Sequence, residues 1–325
     1  MIDATISRVR VRDLARPGRF RTAHRGLATA RPQIVRRACA SRRENGAEAS
    51  SLATALPSRP GAASSRPGDG DLMASIIDDG VVIPRYFVVA ESAHEIQNPT
   101  SREKLLLLGQ RLGLAPDSRV LDIASGRGGP ALLLAQEFGC HVRGIEIAPE
   151  FHAVAVERAT AAALEERLRF ELGDGASATF EPGAYDAALC LGASFVFGSL
   201  ADTVDALAPA VRPGGYVAVG EPYWRRLPLP DDYDDRSEPW TTLEGTVTVF
   251  ETSGLPVVSV IASSEDDWDR YETLHWQAVE RWLAGNSGDE DAPEIRARHE
   301  HAKCNHLRFQ REYLGWAIFV GWKRP

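Results

Sequence analysis

Residues 120–130 read Val-Leu-Asp-Ile-Ala-Ser-Gly-Arg-Gly-Gly-Pro. The stretch begins like a short buried strand, turns through closely spaced glycines, and reaches Pro130, a residue that the first turn of a helix tolerates. A strand–loop–helix of this kind lets a ligand approach backbone that carries no side chains. A glycine-rich loop alone is a weak indication, because such loops also occur in dinucleotide-binding folds and in turns that bind nothing.

Strand and helix signals alternate around this loop from Ile76 onward, which predicts an α/β fold with a sheet covered on both faces. Two capping boxes, Thr100 with Glu103 and Thr241 with Glu244, predict the starts of two helices. The predicted strands are Arg119–Ile123, His141–Ile147, Leu168–Leu172, Tyr185–Leu191, Tyr216–Gly220, Pro256–Ser263 and Trp316–Trp322.

Two carboxylates follow the loop at informative distances. Glu146 ends the second predicted strand, 24 positions after Asp122, where a carboxylate can accept hydrogen bonds from both ribose hydroxyls of an adenosine. Gly173-Asp174-Gly175 follows the third strand, and the Asp174 carboxylate could accept the exocyclic amine of adenine. Together these positions predict an adenosine-containing ligand.

At these residues the chain resembles the class I S-adenosylmethionine-dependent methyltransferases. The resemblance implies a Rossmann-like sheet of seven strands with an antiparallel last strand, and S-adenosylmethionine as the cofactor. One departure is Ala124, where the family usually has Gly; a methyl group is a small change, and we expect binding to survive it. The resemblance assigns cofactor binding to Asp122, Ala124, Ser125, Gly126, Gly128, Glu146, Ile147, Asp174, Gly175 and Leu191.

Two other classes of protein remain open at this point. One is an NAD(P)-dependent oxidoreductase, although its GxGxxG fingerprint would place a third glycine where this chain continues from Gly128 with Gly-Pro. The other is a non-catalytic cofactor-binding or scaffolding domain, because a fold alone does not establish an activity.

Charge divides the chain into two parts. Residues 1–72 contain 14 Arg, no Lys and six acidic residues, whereas residues 73–325 contain 23 basic and 39 acidic residues. We predict a disordered Arg-rich extension over 1–72, interpreted as an over-extended gene start, a targeting segment or a basic arm, and a methyltransferase domain over 73–325. Since an acidic body repels phosphate backbones, no nucleic-acid partner is expected. No apolar run is long enough to span a membrane, and a cytoplasmic location is expected.

The predicted methyl acceptor is a small molecule. After the fourth strand the chain has Gly-Ala-Ser-Phe at 192–195, instead of the Asn/Asp-Pro-Pro-Tyr/Phe of amine methyltransferases that act on nucleic acids. At the carboxyl end of strand five, Glu221 lies beside Tyr223 and Trp224, where ligands bind in open α/β sheets. Glu221 could serve as a base with the two aromatics contacting the substrate, or it could be a solvated residue in a loop that the aromatics anchor.

A helical insertion is predicted at about 264–314, between the last two strands. Its aromatic positions, including Trp268, fall near helical spacing, so the insertion either packs on the sheet edge, covers the substrate or forms a homodimer face. We expect Trp268, Tyr223 and Trp224 to line one pocket with Glu221. Residues 98–99 (Asn-Pro), 220–224 and 268–272 are together similar to a bacterial small-molecule branch of the family.

His94 is the one histidine whose position suggests catalysis, since its pKa is near working pH, although a packed or exposed histidine is the simpler interpretation. No metal site is expected. The histidines and cysteine at 299–306 lack the i, i+4 spacing that a helix needs for chelation, and the four cysteines form no CxxC pair.

Overall fold

The structure, a computed structural model, describes residues 83–325. The predicted Arg-rich extension over 1–72 lies outside the described residues. Within the described part, strands and helices alternate along the chain. No described helix is long and apolar enough to cross a membrane.

One sheet of seven strands organises the fold, in the order β3-β2-β1-β4-β5-β7-β6. Strands β1 to β5 pair in parallel, and β7 runs antiparallel to both of its neighbours, β5 and β6. The prediction of a Rossmann-like sheet with an antiparallel last strand is therefore confirmed. The strands are β1 Arg119–Ile123, β2 His141–Glu146, β3 Leu168–Leu172, β4 Tyr185–Leu191, β5 Val211–Trp224, β6 Val257–Ala262 and β7 Leu314–Trp322.

Helices cover both faces of this sheet. They are α1 Arg85–Ala90, α2 Arg102–Arg111, α3 Gly129–Phe138, α4 Pro149–Ala161, α5 Leu200–Leu207, α6 Leu243–Thr252, α7 Glu265–Gly285 and α8 Ala292–Asn305. Successive residues of a strand point to opposite faces, so that Val120 packs with α2 and α3 while Leu121 packs with α5 and α6. Each face has its own apolar core as a result.

The strand order reverses direction between β1 and β4. From β1 the chain builds outward to β3 on one side, and then returns to place β4 on the other side of β1. In open α/β sheets such a switch point leaves a crevice beyond the carboxyl ends of the strands, where ligands bind. The glycine-rich loop follows β1 and therefore borders this crevice.

The helical insertion between β6 and β7 is confirmed. It consists of α7, α8, a π-helical turn at His306–Gln310 and a single helical turn at Arg311–Tyr313. Helix α7 packs on α1 through an apolar cluster that includes Val89, Val279 and Leu283. The insertion thus reaches the segment that precedes α2.

Several predicted boundaries differ from the structure. Strand β5 begins at Val211 rather than Tyr216, and β7 begins at Leu314 rather than Trp316. Strand β5 continues to Trp224 instead of ending at Gly220, because β7 pairs with it as far as Trp224 opposite Leu314. Both helix caps lie one residue later than predicted. Ser101 accepts a hydrogen bond from the Lys104 amide at 3.3 Å, and Thr242 accepts one from the Gly245 amide at 3.1 Å. In each case two neighbouring residues are good caps, and the fold selects the second.

Candidate active site

The loop after β1 is built from left-handed backbone. Ala124, Gly126 and Gly128 have φ values of 55°, 57° and 74°. Left-handed backbone places the Cβ of an L-residue close to its own carbonyl oxygen, which costs roughly 1–2 kcal/mol outside glycine. This explains why glycine is the usual residue at the position of Ala124, and it shows that the loop keeps its shape with alanine there.

Glu146 anchors the loop from the end of β2. One carboxylate oxygen accepts a hydrogen bond from the Gly126 amide at 2.7 Å, and the other accepts one from the Ala148 amide at 2.8 Å. The side chain is 4% exposed, and burial raises the pKa of its carboxyl group, an effect that the backbone amides oppose. Each oxygen keeps a further lone pair, so Glu146 can still accept hydrogen bonds from a ligand.

Buried polar atoms without partners surround the loop. Asp122 Oδ2 and Ser125 Oγ are inaccessible to solvent and have no hydrogen-bond partner among residues 83–325. Burial, reinforced by the nearby Glu146, raises the pKa of Asp122 to about 7. Because buried polar atoms in native proteins are nearly always satisfied, these atoms fit a polar ligand seated on the loop.

The other assigned positions follow β2, β3 and β4. Ile147 is half-buried, whereas Leu191, the last residue of β4, is buried. Asp174 is exposed, and its carboxylate accepts hydrogen bonds from the Ala176 amide at 2.9 Å and from the Ser177 hydroxyl at 2.6 Å. Gly175 is buried, and a Cβ there would lie 2.7 Å from the Ile123 side chain.

The segment before α2 covers the loop. The family resemblance implies that the region around His94 and Glu95 folds over the cofactor, but it did not point to Gln97 as the residue in contact with the loop. Gln97 Oε1 accepts a hydrogen bond from the Arg127 amide at 2.6 Å, and a Cβ at Gly126 would lie only 2.2 Å from the same oxygen. Asn98 lies equally close to Gly192 after β4, where a Cβ would be 2.3 Å from Asn98 Oδ1. In the sequence, Asn98-Pro99 enters only as part of the resemblance to the family.

Glu221 lies at the carboxyl edge of the parallel strands. In register, Leu191 at the end of β4 pairs with Gly220, so Glu221 is one residue beyond the end of β4. Its side chain is 8% exposed, Ser194 hydrogen-bonds to it, and Oε2 has no partner within the described chain. Burial raises the pKa of this carboxyl to about 7. The interpretation of Glu221 as a solvated loop residue is therefore wrong.

The three aromatic candidates divide between the two faces of the sheet. Trp224 and Trp268 belong to one apolar cluster, on the α2–α3 side. Tyr223 belongs to the cluster on the opposite side, where it packs edge-to-face on Phe319 with ring centroids 6.5 Å apart. Neighbouring residues of a strand point to opposite faces, so Tyr223 and Trp224 cannot form the same wall of one pocket.

His94 is buried beside the insertion. Its ring nitrogen Nε2 lies 2.9 Å from the Tyr271 carbonyl oxygen, and burial lowers its pKa despite the nearby Glu91. Glu91 and His275 complete the group around it. They lie 184 residues apart, so no local pattern in the sequence connects them.

Comparison with known proteins identifies the class. A family model described as a methyltransferase domain matches residues 120–215. The structure of an S-adenosylmethionine-dependent methyltransferase from Geobacter sulfurreducens, in complex with S-adenosyl-L-homocysteine, is 37% identical, with a TM-score of 0.70. The match covers 74% of this chain and 99% of that one. The chain belongs to the class I S-adenosylmethionine-dependent methyltransferases; it is an enzyme, and its cofactor is S-adenosylmethionine.

Within this class, the chain is similar to the protein named uncharacterized protein YjhP of Escherichia coli K12. The two are 35% identical over 243 residues, which is 73% of this chain and 98% of the relative. The 2-methyl-6-phytyl-1,4-hydroquinone methyltransferase of Synechocystis is 27% identical over 155 residues, 44% of this chain and 48% of the relative. The chain thus spans about half the length of that hydroquinone methyltransferase.

Proposed function

We propose that this methyltransferase acts on a small-molecule acceptor and that Glu221 takes the proton which the acceptor loses. When bound, S-adenosylmethionine supplies an electrophilic methyl group on a sulfonium. A protonated nucleophile then needs a base and correct alignment. The observation that carries this proposal is the unpartnered Oε2 of Glu221 at the carboxyl edge of the sheet.

The position of Glu221 suits a base next to the cofactor site. Cys190 is the penultimate residue of β4. Burial raises the pKa of its thiol, and the negative charges of Glu221 and Asp122 raise it further. The two carboxyl groups therefore flank the same part of the sheet. A pKa of about 7 makes Glu221 a much stronger base than an exposed glutamate, while a large fraction is ionised at neutral pH.

We assign the cofactor to the other carboxylates and the loop. Asp122, Ala124, Ser125, Gly126 and Gly128 would hold its amino-acid portion, since Asp122 Oδ2 and Ser125 Oγ are unpartnered among the described residues and so keep hydrogen-bonding capacity beside the loop. The remaining positions would hold the adenosine: Glu146 at the ribose and Ile147, Asp174, Gly175 and Leu191 around the adenine.

Three observations support a small acceptor. The net charge of residues 73–325 is strongly negative, which disfavours a nucleic acid. The sequence after β4 lacks the motif of nucleic-acid amine methyltransferases. The hydroquinone methyltransferase, whose name gives a small acceptor, shares 155 aligned residues with this chain.

The aromatic candidates take different places in this proposal. Tyr223 lies on the Glu221 side of β5 and would border the acceptor, whereas Trp224 and Trp268 would support the site from the opposite face. His94, proposed from the sequence as a second catalytic group, has surroundings that favour another role, described below. A homodimer, a cytoplasmic location and a domain limit at residue 73 are also proposed, on sequence grounds alone.

The acceptor class can be tested with methyl-labelled cofactor. The purified full chain is incubated with labelled S-adenosylmethionine and a cell extract, and the label is followed in the fraction of low molecular mass and in protein and nucleic acid. We expect label in the small-molecule fraction, and expect its rate of appearance to fall at least 100-fold in Glu221→Gln. Label recovered mainly in macromolecules would contradict a small acceptor.

Glu244→Gln serves as the matched control, since Glu244 is an exposed carboxylate on α6. Its rate should equal that of the unmodified chain. If Glu221→Gln also keeps its full rate, Glu221 is not the base.

A further inference from the structure

A cluster of possible metal ligands lies where the insertion meets the segment before α2. Glu91 and His94 belong to the turn that follows α1, and His275 lies on α7. One ligand atom from each of these three residues lies within 4.8 Å of the other two. The three residues are brought together by the packing of α7 on α1.

The distances within the cluster describe a compact group. Glu91 Oε1 is 2.9 Å from His275 Nε2, and Glu91 Oε2 is 3.5 Å from His94 Nδ1. The two imidazole rings have centroids 4.4 Å apart. Glu91 is 7% exposed and His94 is 2% exposed, so the group is shielded from water.

Two atoms in this group face each other without a hydrogen bond. His94 Nε2 lies 2.9 Å from the Tyr271 carbonyl oxygen, which can only accept, so Nε2 carries the proton. In the neutral ring, Nδ1 is then an acceptor, and it faces the carboxylate oxygen Oε2 of Glu91. Neither atom has another hydrogen-bond partner in the part of the chain that the structure describes. A metal cation between the two atoms would satisfy both buried acceptors; a proton on Nδ1 is the alternative, and the zinc titration below distinguishes the two.

The supporting contacts resemble those of metal sites in general. A histidine that binds a metal usually donates its other ring N–H to a backbone carbonyl or carboxylate, as His94 does to Tyr271. A carboxylate ligand is usually held by a second hydrogen bond, and the Tyr271 hydroxyl donates one to Glu91 Oε1 at 2.7 Å. Tyr271 therefore orients two of the three ligands.

We propose that Glu91, His94 and His275 bind one divalent transition-metal cation, of which Zn²⁺ is the best match. Two imidazoles and one carboxylate form a ligand set that zinc and neighbouring metals use, whereas Mg²⁺ and Ca²⁺ prefer oxygen ligands throughout. The cation would replace the hydrogen bond between His275 and Glu91 and would fill the space between Glu91 and His94. This differs from the sequence-based expectation of no metal.

A cavity borders the cluster on its His94 side. It has a volume of about 280 Å³ and is lined by His94 and Tyr271, with Asn98, Arg270 and Leu274 also in its wall. An access path and an open coordination position are expected of a metal site that exchanges with solution.

The site would also join the insertion to the cover of the cofactor loop. His94 is three residues before Gln97, whose side chain binds the Arg127 amide. A cation bound by His94 and by His275 of α7 would hold residues 94–98 in place over the loop. Metal binding should therefore stabilise the fold and strengthen the binding of S-adenosylhomocysteine.

The test uses the full chain without an affinity tag, after treatment with a chelator and dialysis. ZnCl₂ is titrated by calorimetry, and MgCl₂ is titrated in parallel. We expect one Zn²⁺ per chain, no comparable response to Mg²⁺, and a melting temperature raised by about 5 °C or more when free Zn²⁺ is about 100 times the dissociation constant. The absence of stoichiometric zinc binding would overturn the proposal.

Variants locate the site. His275→Gln and Glu91→Gln should each weaken zinc binding at least tenfold, whereas His301→Gln, which changes a half-exposed histidine on α8, should leave it unchanged. Zinc affinity that is equal in all three variants would place the cation elsewhere on the chain and refute the assignment.

Two further measurements keep the test independent of folding and of the methyl-transfer proposal. X-ray absorption at the zinc edge of the unmodified chain should show a site with two imidazole ligands and no sulfur, and any other ligand set would contradict the assignment. Binding of S-adenosylhomocysteine to His275→Gln should persist with a modest loss of affinity. Retained S-adenosylhomocysteine binding in His275→Gln shows that the variant is folded and that its cofactor site is intact. Loss of zinc binding in the same variant is then due to the metal site alone.

Discussion

The substitution Glu221→Gln tests the physical basis of the proposed base. Glutamine has nearly the same shape as glutamate but cannot ionise. The Glu221 carboxyl has its pKa raised from 4.5 to about 7 by burial, so ionisation in the folded chain is less favourable than in the unfolded chain. Between these two pH values the folded chain holds a proton that the unfolded chain has released. The free energy of unfolding therefore falls as the pH rises from about 4.5 through about 7.

The size of this effect follows from the difference in pKa. One unit of pKa corresponds to about 1.4 kcal/mol, so the complete effect is about 3.5 kcal/mol, of which about 2.5 kcal/mol falls between about pH 5 and about pH 8. Other titrating groups change stability over the same range. Their contributions cancel when the unmodified chain and Glu221→Gln are compared at both pH values.

The assay is urea unfolding of both chains at the two pH values. As the pH is raised from about 5 to about 8, we expect the free energy of unfolding of the variant to increase by about 2.5 kcal/mol relative to that of the unmodified chain. Glu244→Gln, which changes an exposed carboxylate, should show a difference close to zero. A difference below about 0.5 kcal/mol for Glu221→Gln would mean that its carboxyl ionises normally in the folded chain, and the pH argument for the base would be lost.

Four other outcomes are expected. Glu146→Ala should weaken S-adenosylhomocysteine binding roughly tenfold to a hundredfold in calorimetry, as for the loss of hydrogen bonds to a charged group, and an unchanged affinity would show that Glu146 does not contact the ligand. Ala124→Gly should stabilise the chain by up to about 1 kcal/mol in urea unfolding, since φ is 55° at this position, and a less stable variant would contradict the backbone argument. Trp268→Ala should destabilise the fold by about 3–5 kcal/mol in the same assay because the side chain is buried in the α2–α3 core, and a loss below about 1 kcal/mol would show that it does not pack there. Deletion of residues 1–72 should leave the melting temperature and cofactor affinity nearly unchanged in thermal melts and calorimetry, whereas a drop of more than a few degrees would show that this segment packs on the domain.

The sequence was sufficient for the elements whose signals are local. Strands β1, β3 and β4 begin and end where predicted, because each is a short apolar run bounded by turn residues. The glycine-rich loop, Glu146 and the insertion were found in the same way. These features depend on residues within about one helix or strand of each other, so the local sequence is enough to predict them.

Features that depend on distant pairing could not be found in this way. The end of β5 is set by β7, whose residue Leu314 pairs with Trp224 about 90 positions away. Because β5 stays extended as far as Trp224, Tyr223 and Trp224 point to opposite faces. The register with β4 places Glu221 one residue beyond the end of that strand. The apolar pattern around Gly220 does not show which strand pairs with β5 or how far that pairing extends.

Among the polar groups too, those with a local sequence signal could be predicted, and those brought together by tertiary packing could not. The sequence predicts cofactor contacts at Glu146 and Asp174 because they follow strands at the expected spacing, and it shows the departure at Ala124. The resemblance implies that the region around His94 folds over the cofactor, but it did not predict the contact of Gln97 with Gly126 or the meeting of Glu91 and His94 with His275. A single histidine or glutamate has no periodicity, so only the packing of α7 on α1 decides which charged and ligating side chains share a buried space.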